Sequence, residues 1–200
     1  MVSRNNQLTG SCVAVLSLLL LTCSSLASAD WQLNPQASYL YYVSSKVSAV
    51  SEVNTFSGLS GLIDEQGKAT LNIDLASVDT AIDIRNQRVR DILFQVIDYP
   101  QATASLDVDL ATLQKMLVGS FASSTYAVDF NLHGITQTLN AELQVSKLNA
   151  DSIQVQLTRP LIISAANYGL AEGVEELREI AKLPSINNNV VVGFTLLFEK

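Results

Sequence analysis

From Ala69 to Leu75 the chain alternates without a break: Ala69, Leu71, Ile73 and Leu75 are apolar, and Thr70, Asn72 and Asp74 are polar. A period of two puts these sets on opposite faces of a strand, one dry and one wet. The pattern recurs in "ATASLDV", Ala102 to Val108. "TYAVDFNL" aligns Tyr126, Val128, Phe130 and Leu132, His133 and Gly134 break the run, and "QTLNAELQV" resumes with Leu139, Ala141, Leu143 and Val145. Strand, turn and strand in that order predict a hairpin. "SIQVQLT" continues with Ile153, Val155 and Leu157, and the C-terminal run holds Val190, Val192, Phe194, Leu196 and Phe198 on one parity. "SYLYYVSSK", Ser38 to Lys46, has the Tyr and Val content of a strand but is apolar on both parities, so its facing stays open. Gly58 and Gly61 interrupt a strand-like run and suggest a bulge or a sharp bend of the kind used at barrel corners.

Two stretches leave this period. "IRNQRVRDILFQV" spaces Ile84, Val89, Ile92, Leu93 and Val96 as a helix would, with Asp79 or Thr80 as a loose cap. "AEGVEELREIAKLP" places Val174, Leu177, Ile180 and Ala181 on one face, with acidic residues first, Lys182 late and Pro184 as the stop. No repeat or linker interrupts the chain, which predicts one domain of about eight antiparallel strands and two helices.

The first residues read differently. Arg4 precedes the apolar run "CVAVLSLLLLTC", and Ala27 and Ala29 are the small residues of a signal-peptidase site. This predicts a signal peptide over residues 1–29, cut after Ala29, with an apolar core too short to span a membrane. A lipoprotein cut at Cys23 is disfavoured by Thr22, where Gly, Ala or Ser is usual. The domain then covers residues 30–200, long enough for a sizeable core. Both cysteines, Cys12 and Cys23, leave with the leader, so the exported domain holds its fold by burial alone. Such a chain is expected in the periplasm.

Charge narrows the partners. Lys and Arg number 12 against 19 Asp and Glu, a net of −7 that becomes −8 once Arg4 is removed. Nucleic acid and anionic membrane surfaces both call for a basic footprint, which is absent.

Catalytic chemistry is sparse. His133 is the only histidine and lies in a turn, so Cys/His catalysis and a His-rich zinc site are excluded. "SGLSG" lacks the spacing of a nucleophile elbow, and no phosphate loop or dinucleotide fingerprint occurs. Asp74, Asp79, Asp83 and Asp91 cluster in sequence without calcium-loop spacing and read as a solvated strand face and helix cap. Neither a cofactor nor a metal is expected. Arg85 and Arg88 share a helical face while Arg90 points elsewhere; they pair with acids or greet a headgroup at a barrel mouth. The dry strand faces could enclose a cavity in an eight-strand barrel, or fill the core of a β-sandwich interaction module. A carboxylate-dependent enzyme is a third reading. Periodicity does not separate them.

Longer segments, taken in order, do carry a resemblance. "WQLNPQASYLYY" (Trp31 to Tyr42), "TFSGLSGLI" (Thr55 to Ile63), "LASVDTAIDIRNQRVRDILF", "YPQAT" and "FNLHGITQTL" (Phe130 to Leu139) together resemble the YceI family of secreted lipid-binding proteins. The resemblance implies an all-β, lipocalin-like antiparallel barrel of about eight strands with one or two short helices. It also implies an elongated apolar tunnel for a polyprenol, an isoprenoid quinone or another long-chain lipid, in a carrier that is not an enzyme. It turns Leu40 and Tyr42 inward, together with Ser38. The lining it implies, one parity of each strand, is Leu40, Tyr42, Phe56, Leu71, Ile73, Leu106, Tyr126, Val128, Phe130, Leu143, Val155, Val192, Phe194 and Leu196. The expected partner is that lipid, not nucleic acid, and the protein is not expected to be integral to a membrane; a homodimer is left open. Two departures stand out. Lys46 ends the first strand where the family often has a histidine, and the segment "YGLAEGVEELREIAKLPSINN", Tyr168 to Asn188, is longer than the family's usual loop before the last strand and looks helical over 171–184.

Overall fold

A computed structural model describes residues 30–47 and 50–200, together with Met1. The signal peptide predicted over residues 1–29, with its cut after Ala29 and the alternative at Cys23, lies outside the described residues. Within them, one antiparallel sheet of 12 strands closes on itself. In chain order these are β1 (Trp31–Leu33), β2 (Tyr39–Lys46), β3 (Val50–Phe56), β4 (Leu59–Ile63), β5 (Lys68–Asp74), β6 (Val78–Asp79), β7 (Gln101–Asp107), β8 (Phe121–Leu132), β9 (Ile135–Lys147), β10 (Ser152–Leu157), β11 (Leu161–Ser164) and β12 (Asn189–Glu199).

The number falls to eight when breaks are healed. β1 and β2 lie end to end along one edge of β12, and β10 and β11 along its other edge. Likewise β3 and β4 form one long strand, and β5 and β6 the next. The fold is therefore a closed eight-stranded antiparallel barrel with four of its strands interrupted. Local causes account for two of the breaks. Asn34 accepts from the Gln36 and Ala37 amides and, with Pro35, curls residues 35–37 into a 3₁₀ turn. Asp74 does the same for Leu75–Ser77 through the Ala76 amide. The bend expected near Gly58 falls between β3 and β4. Ser38, expected to face inward with Leu40, sits instead in the first break, where its Oγ donates to the Asn34 carbonyl and accepts from the Leu197 amide. The ladder interruption leaves that amide without a strand partner, and the hydroxyl supplies one.

The β8–β9 hairpin turns on His133 and Gly134, both with positive φ (53° and 75°). Such a two-residue turn matches the strand twist, and glycine enters it at no steric cost. His133 stacks on Tyr99 with ring centroids 4.0 Å apart.

Among the described residues three short α-helices accompany the barrel, one more than the sequence predicts: α1 (Asp83–Arg88), α2 (Leu110–Lys115) and α3 (Ala171–Ile180). α2 spans too few residues to show a period, but Asp109 caps it through the Ala111 and Thr112 amides. The expected cap of α1 by Asp79 or Thr80 is corrected. Ile82 takes the N-cap position without a side-chain bond, Asp79 accepts from the Ala81 amide, and Asn86 accepts from Thr80. α1 runs on into a wider π-type turn, Val89–Phe94, closed by Gln95 at φ 49°. That widening turns Val89 and Phe94 into the core, while Ile84, expected on the apolar face, is exposed.

One end of the barrel is shut by Trp31, α2 and the turns beside them. Lys147 is buried there, its Nζ 4.4 Å from the Trp31 ring centre and donating to the Ala150 carbonyl at 2.9 Å. Burial holds its ammonium below the usual lysine range. At the other end α1, its π-type extension and α3 lie across the barrel. α3 packs closely on the extension, since a Cβ on Gly173 would stand 3.0 Å from the Ile92 carbonyl oxygen.

Candidate functional site: a cavity with one polar end

The barrel is hollow. A cavity of about 580 Å³ runs through it, walled by the inward parity of the strands. A jigsaw-packed interior leaves few voids larger than a water molecule, so a space of this size is a built feature. Its origin is visible in the side chains. Ala69, Ala102, Ala104 and Ala141 occupy inward positions where a filled core would carry larger residues. Around them stand branched aliphatics and aromatics.

All 14 residues expected on the wall border this cavity, from Leu40 and Tyr42 on β2 to Val192, Phe194 and Leu196 on β12. Val128, Ala141 and Leu143 form a compact group midway, against Ala104, Tyr126, Val155 and Phe194. Leu40, Phe56, Leu71, Ile73 and Leu196 belong to the larger cluster, which reaches Trp31 and Leu113 at the closed end and Val89 and Phe94 at the other. Sequence reasoning missed the contribution of the covering elements: Leu93 and Phe94 from the π-type turn, and Val174 and Leu177 from α3. Phe94 extends an aromatic line from Tyr42 through Phe56, with centroid separations of 5.7 and 6.0 Å.

Arg85 and Arg88, read from the sequence as pairing with acids or greeting a headgroup, stand at one end of the cavity, but the strand residues that join them there were missed, although the alternation points to them. On β2 the inward set runs Leu40, Tyr42, Ser44, Lys46, and on β3 it runs Phe56, Asn54, Glu52. The dry face thus becomes polar toward one end of these strands. Lys46 Nζ lies 2.9 Å and Arg85 Nη1 2.7 Å from the same oxygen of Glu52. Both bonds, that to Lys46 first, hold the Glu52 carboxyl below its usual range. Arg85 also donates to the Thr80 carbonyl, while its Nε is buried without a partner. Asn54 is buried and donates to Ser44 Oγ at 3.0 Å. Arg88 completes this end, as the shared helical face with Arg85 implies. Arg90 points away and donates to the Ala76 carbonyl. Burial drives the Tyr42 hydroxyl well above the usual phenol range, opposed by Arg85. That hydroxyl therefore stays protonated as a hydrogen-bond donor at the junction of the polar and apolar walls.

The acid cluster is elsewhere. Asp74, Asp79, Asp83 and Asp91 do not line the cavity; the first two are held in turns, and Asp83 opens α1. Among the described residues Glu52 is the one carboxylate on the wall, and it is committed to Lys46 and Arg85. An acid/base pair facing across the cavity is not formed by these residues. His133, tied to Gln95 at 3.3 Å, is also off the wall.

The family model of the YceI-like domain matches residues 31–198. The chain belongs to the YceI-like domain family. A solved structure described as a polyisoprenoid binding domain from Saccharophagus degradans, implicated in plant cell wall breakdown, shares 42% identity and superposes with a TM-score of 0.83, covering 84% of this chain and 97% of that one. Burkholderia cenocepacia BcnA shares the fold at 20% identity, with a TM-score of 0.63 over 82% of this chain and 98% of that one. No curated protein matches the sequence. The hollow, graded from an apolar wall to one polar end, is the candidate site of this chain. No helix among the described residues is long and apolar enough to cross a membrane.

Proposed function

We propose that this protein is a periplasmic carrier that holds one long isoprenoid lipid, a polyprenol or an isoprenoid quinone, with its chain in the barrel and its polar head at the Lys46–Glu52–Arg85 end. The carrying observation is the cavity itself: about 580 Å³ of apolar space in a closed barrel, opening onto a single polar cluster. An isoprenoid chain offers only apolar surface, so its affinity would follow the wall area it covers, roughly 25 cal/mol per Å². The polar end would then set orientation. The polyisoprenoid-binding relative from Saccharophagus degradans supports the same ligand class. A non-enzymatic role fits the wall, whose one carboxylate is neutralised by two cations.

The test is extraction of the protein, purified from its own host under non-denaturing conditions, with organic solvent followed by mass spectrometry. A stoichiometric isoprenoid is expected. Repeated preparations that yield no long-chain lipid, from a protein that also takes up none from detergent micelles, would overturn the proposal.

A further inference from the structure

The outer face of the barrel is uneven. On β7 to β10 it is polar, as Ser105, Asp129, Thr138, Glu142, Gln144 and Gln156 show by their place in the register. Across β11, β12, β2 and β3 it is not. There Ile162, Val191, Val43 and Val53 lie directly beside one another, one per strand, in a single row. Ile162 is 70%, Val53 59% and Val191 38% exposed, with Val43 half-buried between its neighbours. Four neighbouring β-branched aliphatics with no charge among them form a stripe, and such stripes mark interaction surfaces.

Its position says what it meets. Val43 stands between Tyr42 and Ser44, Val53 between Glu52 and Asn54, and Val191 between Val190 and Val192, all of them cavity-wall residues. Successive strand residues point to opposite faces. The stripe therefore backs directly onto the polar end of the cavity. A long isoprenoid has its reservoir in a bilayer, and every CH₂ moved through water carries a penalty of about 0.8 kcal/mol. A carrier whose opening touches the bilayer avoids that path.

We propose that this stripe seats the polar end of the barrel on an uncharged phospholipid surface while lipid is loaded or released. The proposal rests on the carrier reading above. The net charge of −7 and the lack of charge in the stripe commit it to a zwitterionic face, held by shallow apolar insertion and not by headgroup charge. Arg88 and the aliphatic stems beside it suit the interfacial region.

The probe is solanesol, a long isoprenoid alcohol, offered to the full folded domain either in phosphatidylcholine vesicles or in octyl glucoside micelles. Uptake is followed as probe recovered with protein after the vesicles are pelleted. The double variant Val53→Ser, Ile162→Ser changes exposed side chains outside the cavity, so folding and the wall should be kept. Loading from vesicles is expected to slow at least tenfold, with loading from micelles unchanged. Equal vesicle rates for parent and variant would overturn the docking proposal. So would a stripe that instead joins two copies, seen as a parent dimer and a variant monomer in sedimentation with the vesicle rate unchanged. A parent that loads from neither donor would sink the carrier reading itself, and with it the reason for docking.

Discussion

Val128→Trp tests the hollow barrel at its middle. Val128 is buried on β8 and groups with Ala141, Leu143, Ala104 and Phe194 on the cavity wall. The added indole has open space before it, so the overpacking penalty of a filled core, about 1–3 kcal/mol, should be at its low end. What the indole takes away is room beside the wall. An aromatic side chain covers roughly 150–250 Å². If the lipid forfeits only the smaller of these areas, the cost at about 25 cal/mol per Å² is about 4 kcal/mol. That corresponds to roughly a thousandfold in Kd. Partial threading past the ring would reduce this cost, so a drop of at least tenfold is the expected floor. Circular dichroism and thermal unfolding establish that the variant folds, and solanesol uptake from micelles gives the affinity. Val128→Leu is the control and should bind within a few-fold of the parent. A folded Val128→Trp protein that binds as tightly as the parent would refute the reasoning, because Val128 would then not border the occupied space.

Three further outcomes follow from particular side chains. Tyr168 is buried with its hydroxyl unpartnered beside Phe130, ring centres 5.5 Å apart, so Tyr168→Phe should leave Tm unchanged or raise stability by about 1 kcal/mol; a clear destabilisation would reveal a partner for that hydroxyl. Gly193 lies under the Tyr41 ring, where a Cβ would come within 2.4 Å, so Gly193→Ala should destabilise by about 1–3 kcal/mol in denaturant titration, and a neutral result would show that the ring moves aside freely. The Glu52 carboxyl is held below its usual range by Lys46 and Arg85, so its contribution is present above the unfolded-state value, about 4.3, and is lost as pH falls through the lower folded value. Thermal unfolding from pH 6 to pH 3 should therefore fall less steeply for Glu52→Gln than for the parent; parallel profiles would mean the ion pairs contribute nothing to the fold.

Much of the barrel is legible in the sequence because a half-buried strand writes its facing into every second residue. The runs at Ala69–Leu75, Tyr126–Leu132 and Val190–Phe198 each place one parity on the cavity wall. Interruptions are harder to read. A short 3₁₀ turn such as Pro35–Ala37 breaks a strand in register without ending it, and that depends on tertiary pairing with β12. The family resemblance puts Ser38 inward with Leu40, whereas its hydroxyl is taken up by the break itself. α2 escapes a search for periodicity because six residues cannot display a helical period, although Asp109 offers its cap. Hollow and filled barrels share one alternation, but the inward alanines at 69, 102, 104 and 141 distinguish them by volume. The polar end is written in Lys46, Glu52 and Asn54, polar residues on a dry parity. What no local pattern could show is that α1 would meet β3 through Arg85 and Glu52, a bond between residues 33 apart.

The most direct measurement is photocrosslinking of the folded protein with an isoprenoid alcohol carrying a diazirine on its chain, followed by peptide mapping. Adducts are expected on inward residues alone, among them Leu71, Ala104, Val128 and Phe194, and excess unlabelled solanesol should suppress them. Adducts confined to outward residues such as Ser105, Gln144 and Gln156, or an inward pattern that competitor leaves unchanged, would contradict the claim that the dry strand faces enclose a lipid.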